Sequence, residues 1–181
     1  MNRYTLTAPI AMPDGSSLPG ISRAARVRRE VDFLFPLAES PSGMLPSGMS
    51  EDRWVHDRGF VRGYLDVVFQ HNGRIAFADW KSDALPSYTA AAMGAHVESN
   101  YKLQVQLYTL AVALMLGIDT EADYETRFGG VVYLFLRGLR QPPDHSDDGV
   151  YVCRPTYAEV VSWRRELAAA PAPSQTGAGE P

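Results

Sequence analysis

Residues 63–81 read Gly63-Tyr64-Leu65-Asp66-Val67-Val68-Phe69-Gln70-His71-Asn72-Gly73-Arg74-Ile75-Ala76-Phe77-Ala78-Asp79-Trp80-Lys81, and the fold follows from this stretch. Two apolar runs flank the joint His71-Asn72-Gly73. Asn-Gly is the strongest short-range hairpin signal, because both residues tolerate positive φ. The first run, Val61 to Phe69, carries Asp66 in its middle; the second, Ile75 to Trp80, delivers Asp79 and then Lys81. Pairing the runs across the turn brings the two aspartates near each other. Asp79 and Lys81 share a sheet face, since strand side chains have a period of two. Two carboxylates and an ammonium at one strand end suit a hard divalent cation and a phosphate group.

Upstream of the hairpin, Val27, Val31, Phe33 and Phe35 alternate with Arg26, Glu30, Asp32 and, less cleanly, Leu34, which predicts a half-buried strand ending at Pro36. Residues 1–20 hold Pro9, Pro13, Gly15 and Pro19 with little periodicity and read as an irregular lead-in. Residues 40–50, SPSGMLPSGMS, have a loop composition.

Downstream, Pro86 stops the strand and Ser87 is a candidate helix cap, so the chain turns helical near Tyr88. A stronger helix runs from about Val97 to Leu116 on the spacing of Leu103, Leu107, Leu110, Ala111 and Leu114, with Gly117 as its stop. Residues 119–128 are polar and acidic, a surface connection. Val131 to Leu136 is a continuous β-prone run that predicts a strand buried on both faces and ended by Gly138. A loop over 141–149 leads to a short return strand, Val150 to Cys153. Thr156 and Glu159 then form a capping box that opens a last helix, Tyr157 to about Ala169. The tail from Pro171 is almost devoid of apolar residues and reads as disordered. The order strand, hairpin, helices, strand, helix predicts a mixed α/β or α+β sheet flanked by helices.

Composition sets bounds on this picture. A chain of 181 residues, 45% hydrophobic and 21% charged, is ordinary for one globular domain. The net charge of −4 announces no general affinity for nucleic acid. Arg23, Arg26, Arg28 and Arg29 nonetheless concentrate positive charge, either as a local field for a polyanion or as a solvated strand edge. The single Cys153 excludes an internal disulfide and fits a reducing cytoplasm. No apolar run approaches the ~20 residues of a membrane span, and the amino terminus lacks the core of a signal peptide. His56, His71, His96 and His145 show no ligand spacing.

Each candidate also has an ordinary structural reading. An Asp-x-Lys triplet is common by chance. Asp66 could face solvent on an edge strand, although burying it among Leu65, Val67 and Val68 would demand a cation or donors. Gln104 and Tyr108, four apart on the strong helix, could be its polar stripe.

Taken together, Gly63-x-x-Asp66, Asp79-x-Lys81 and Gln104-x-x-x-Tyr108 resemble the PD-(D/E)XK nucleases, in the branch typified by the RecB nuclease domain of exodeoxyribonuclease V. The stretches ISRAARVRREVDFLFPL, GYLDVVFQHNGRIAFADWKS, LQVQLYTLA and FGGVVYLFLRG resemble that branch in the same order, from about Ile21 to Leu167. The resemblance implies a restriction-endonuclease-like core over residues 21–169, between the lead-in of 1–20 and a tail of 170–181. It also implies a Mg²⁺-dependent deoxyribonuclease acting in recombinational repair.

In that reading Asp66, Asp79 and the backbone carbonyl of Trp80 hold Mg²⁺. Lys81 is catalytic, orienting the attacking water and offsetting charge on the phosphate. Gln104 and Tyr108 lie beside the DNA or the lysine's surroundings, and Glu30 serves a second shell or a second metal. The implied partners are DNA and RecC-like and RecD-like subunits. Nothing in residues 1–20 resembles the histidine-bearing helix that begins the family's fold, and no GxxxxGK[ST] phosphate loop occurs. The chain is therefore expected to be a carboxy-terminal fragment without the helicase part. The alternative is a catalytically impaired module that binds DNA or a RecC-like partner.

Overall fold

The computed structural model describes residues 6–36, 55–57, 60–139 and 149–169. The expected loops at 40–50 and 141–148 and the tail from Pro171 lie outside the described residues. A short hairpin, β1 (Ile10–Ala11) and β2 (Ser17–Leu18), is followed by a 3-10 turn and then β3 (Arg26–Pro36), β4 (Val55–Asp57), β5 (Phe60–His71) and β6 (Arg74–Lys81). Helices α1 (Ala90–Asn100), α2 (Lys102–Met115) and α3 (Glu121–Arg127) precede β7 (Phe128–Phe135), β8 (Val150–Cys153) and α4 (Tyr157–Ala169). The main sheet has the order β3-β5-β6-β7-β8, with β4 beside β5. The fold is mixed α/β, as the order of elements predicts.

The Asn-Gly joint forms as expected. His71 pairs with Arg74, and Asn72 and Gly73 both take positive φ, 49° and 81°, which makes a two-residue turn matched to strand twist. Strand β6 pairs antiparallel with β5 but parallel with β7. A parallel pair needs a crossover, and α1, α2 and α3 supply it. Strand β7 is buried along its whole length. It begins at Phe128 and ends at Phe135, leaving Leu136 exposed at 42%.

Two apolar layers sandwich this sheet. On one face Met93, Leu107, Tyr108, Leu110 and Val160 of the helices pack on Phe33, Leu65, Phe77, Tyr133 and Phe135. On the other, Ile10, Met12, Leu18 and Ile21 pack on Val67, Phe69, Ala76, Ala78, Val132 and Leu134. Where a lead-in without regular structure is expected, the described residues 6–20 thus include a packed hairpin. Its two-residue strands are too short to show a period, yet they cover a sheet face with side chains that each contribute about 1.5–3 kcal/mol on burial. Gly130, at φ 120°, lets this hairpin approach, since a Cβ there would stand 3.1 Å from the Pro13 ring.

Three further expectations change. The first helix is capped by Thr89, whose hydroxyl accepts from the Ala92 amide, rather than by Ser87. It also runs on to Asn100, so that the division between helices falls at Tyr101 rather than before Val97. Residues 121–127 form α3, capped by Thr120 and anchored by the buried Tyr124, in place of a surface connection. Gly117, at φ 60°, ends α2 as expected. The capping box of α4 forms with Thr156 N donating to Glu159 Oε2 at 2.7 Å and Glu159 N to Thr156 Oγ1 at 3.3 Å.

The alternation of faces along β5 breaks at one place. Val61 and Leu65 join the helix-side core, whereas Val67 and Phe69 join the opposite one. Residues an even number apart can change faces only if the pleat is interrupted between them. The interruption sits at Asp66. Its register partner on β3 is Glu30, between the pairs Arg29–Val67 and Val31–Leu65; the Glu30–Asp66 pair itself does not form, and Glu30 takes φ 51°.

Candidate active site

The β5–β6 ladder ends at Val67–Ala78, so continuing the register sets Asp66 opposite Asp79 where the two strands part. Strand β6 continues against β7, with Asp79 beside Tyr133 and Lys81 beside Phe135. Half-buried Asp66 turns its carboxylate across the gap, and Oδ2 accepts the Trp80 amide at 3.0 Å. That bond uses the local break: the interrupted pleat aims a carboxylate at the neighbouring strand instead of at either core. Irregularities of this kind are over-represented beside active sites.

Asp79 and Lys81 face the helix layer and are nearly closed off, at 0% and 4% exposure. Lys81 Nζ lies 2.7 Å from Asp79 Oδ2 and donates to Gln104 Oε1 at 2.6 Å. The Gln104 amide nitrogen donates to Asp79 Oδ1 at 3.1 Å, and the Tyr133 hydroxyl donates to Gln104 Oε1 at 3.1 Å. A buried ion pair persists only when further hydrogen bonds satisfy both charges, and Gln104 provides them from α2. Burial above all, and then the Asp79 charge, pushes the Tyr133 hydroxyl far above the ordinary tyrosine range, so it remains a donor.

Lys81 Nζ also lies 3.8 Å from the centroid of the Tyr101 ring and 5.0 Å from that of Tyr133. The two rings stack at 5.8 Å. The Tyr101 hydroxyl reaches Asp83, at 2.8 Å from Oδ1 and 2.9 Å from Oδ2, and His96 Nε2 lies 3.0 Å from Asp83 Oδ1. Partial burial opposes ionisation of Asp83, but the Tyr101 and His96 hydrogen bonds outweigh it and hold the carboxyl below its usual range.

Of the residues expected from sequence, Asp79, Lys81 and Gln104 therefore form one buried cluster, and Asp66 is tied to the backbone amide of Trp80 between Asp79 and Lys81. Exposed Glu30 stands across the register from Asp66. Tyr108 belongs to the same helix face but one turn deeper. Its ring packs edge-on against Phe33 and Phe77, both at 5.6 Å, and its hydroxyl donates to the Tyr64 carbonyl at 2.6 Å, two residues ahead of Asp66. Sequence reasoning missed Tyr101, Asp83 and Tyr133. Tyr101 was within reach, since it precedes Gln104 by one helical step on the same face; Tyr133 required the β6–β7 register.

The donors are hard oxygens, and Asp66 and Asp79, at opposite register positions of β5 and β6, are the residue type by which Mg²⁺ is commonly held, with one or two carboxylates plus water and substrate phosphate. Among the described residues no group of three or more His, Cys, Asp or Glu that could hold a metal ion forms. Among the described residues no helix is long and apolar enough to cross a membrane.

No family model matches the chain. Among curated proteins it is 35% identical over 170 residues to the RecBCD enzyme subunit RecB of Escherichia coli (strain K12), covering 83% of this chain and 14% of that protein. The RecB subunit of Haemophilus influenzae is 40% identical over 105 residues, 55% of this chain and 8% of that protein. That of Mycolicibacterium smegmatis is 33% identical over 93 residues, 45% of this chain and 9% of that protein. The chain thus spans a small part of the length of these relatives. Over the matched region it is homologous to the RecB subunit, and the protein is RecB-like.

Proposed function

We propose that this chain carries a Mg²⁺-dependent deoxyribonuclease centre of the PD-(D/E)XK type, working in an exodeoxyribonuclease V assembly with RecC-like and RecD-like subunits in recombinational DNA repair. The observation that carries the reading is the buried Asp79–Lys81–Gln104 cluster with Asp66 at the facing register position. When bound, the cation supplies Lewis-acid activation of water and of the phosphate. Asp66, Asp79 and the Trp80 carbonyl hold it. Lys81, kept at 2.7 Å from Asp79, offsets negative charge developing on the phosphodiester, and Gln104 keeps both side chains in one orientation.

The test is degradation of linear DNA by the purified chain with and without Mg²⁺, beside Asp79→Ala. Metal-dependent cleavage lost in Asp79→Ala is expected; equal activity of the two proteins would refute the reading.

A second reading, a module that binds DNA without cutting it, is favoured by the arginines. Arg23, Arg26, Arg28 and Arg29 are exposed, and among the described residues none of them enters a salt bridge. Arg28 pairs in the ladder with Val68, two residues from Asp66. Salt-sensitive binding without any Mg²⁺-dependent cleavage would select this reading.

A further inference from the structure

We propose that Tyr101 is a positioning residue that holds the Lys81 ammonium against Asp79, and that Asp83, clamped by His96, anchors Tyr101. The enzymatic consequence rests on the nuclease reading above; the positioning itself does not.

The chain interrupts one long helix to set this ring. Tyr101 stands between α1 and α2 at φ −127° and ψ 8°, yet the hydrogen-bond ladder continues on both sides, with Tyr101 N donating to Val97 O at 2.8 Å and Val105 N to Tyr101 O at 2.9 Å. The backbone leaves helical geometry at Tyr101 alone, and the ring lies 3.8 Å from the lysine nitrogen. A cation over a tyrosine face in a desolvated site is attracted by the ring quadrupole.

Four side chains close a circuit. Lys81 donates to Gln104, Gln104 accepts from Tyr133, Tyr133 stacks on Tyr101, and Tyr101 faces Lys81. A lysine stem has many rotamers and a point-like charge; the ring covers a direction that the hydrogen bonds do not.

The far end of the ring is also fixed. Both Asp83 oxygens lie within 2.9 Å of the Tyr101 hydroxyl. The Asn100 amide approaches His96 Nδ1 at 3.2 Å, which puts the ring proton on Nε2, where it donates to Asp83 at 3.0 Å. Phenylalanine would keep the face and lose the anchor; leucine would lose both.

Lys81 and Lys102 are the chain's two lysines, and Lys102 is exposed, so selective lysine labelling yields one site signal and one internal reference. In the metal-free full chain the Lys81 ε-methylene protons are expected upfield of those of Lys102 through the ring current of Tyr101. The shift shrinks in Tyr101→Phe, which keeps the ring without its anchor to Asp83, and is lost in Tyr101→Leu. With linear DNA and Mg²⁺, Tyr101→Leu is expected to lower kcat roughly tenfold to a hundredfold with little change in KM, and Tyr101→Phe to fall between it and the wild type.

A Lys81 shift unchanged in folded Tyr101→Leu overturns the proposal, as does a loss confined to KM. Should Tyr101→Leu not fold, Asp83→Ala decides, because the ring remains while its anchor is gone. Movement of the Lys81 signal towards that of Lys102 supports the proposal, and no movement overturns it. If the wild-type chain cleaves no DNA, the nuclease reading falls and the lysine signals alone decide the positioning.

Discussion

Gln104→Leu is the substitution that most directly probes the buried cluster. Gln104 is 7% exposed and makes three hydrogen bonds there: it accepts from Lys81 at 2.6 Å and from Tyr133 at 3.1 Å, and donates to Asp79 at 3.1 Å. Leucine has a similar volume, so packing is roughly kept. The Tyr133 hydroxyl loses its acceptor, which costs about 1–3 kcal/mol for a buried polar group. Asp79 and Lys81 each lose one charge-assisted bond, about 1.5–3 kcal/mol apiece before apolar gains and the remaining ion pair offset part of it.

These terms share a network and do not add fully, which brings the expected loss to about 3–5 kcal/mol. With a urea m-value of about 2 kcal/mol/M, the denaturation midpoint falls by about 2 M. Circular dichroism during urea unfolding measures it, and Mg²⁺-dependent cleavage is expected to fall with it. A folded Gln104→Leu protein whose midpoint moves by less than about 0.5 M would show that the cluster is not held as described.

Tyr108→Phe removes the hydroxyl bond to the Tyr64 carbonyl and keeps the ring between Phe33 and Phe77; urea unfolding should register about 1 kcal/mol, well below Gln104→Leu. Burial pushes the Cys153 thiol up to about 11 from 9.0, so at pH 8 its thiolate fraction, and its alkylation rate by iodoacetamide, should be about 100-fold below that of an ordinary thiol. Asp83 has its folded pKa below the unfolded 3.8. Its stabilising contribution is therefore complete above about pH 4 and is lost as the pH drops through the lowered value. Thermal melts of wild type and Asp83→Asn should differ at neutral pH and converge in acid.

Much of the fold was legible because local chemistry dictates it. Asn72-Gly73 can hardly be anything but a tight turn, and Thr156 with Glu159 caps a helix by satisfying its own first amides. Val131 to Phe135 is too continuously apolar to lie at a surface. The β1–β2 hairpin was not legible, because Ile10 and Leu18 are buried by what they pack on rather than by any period of their own. Nor was α3, whose acidic surface hides one inward tyrosine. The change of face at Asp66 was invisible for a different reason: Val61, Leu65, Val67 and Phe69 keep an unbroken period of two in sequence while the pleat changes beneath them.

For the candidate site, the Asn72-Gly73 turn and the two apolar runs already put Asp66 and Asp79 on paired strands. Sequence by itself also sets Lys81 on the same face as Asp79, and Gln104 and Tyr108 on one helix face, since these relations depend only on short spacing and backbone periodicity. Long-range packing is what makes Gln104 span Asp79 and Lys81, turns Tyr108 to the Tyr64 carbonyl, and sets Tyr101 and Tyr133 around the ammonium. Those contacts join β6 to α2 and β7, elements far apart along the chain. They exist because the parallel β6–β7 pair needs a helical crossover, and that crossover lays α2 over the buried aspartate and lysine.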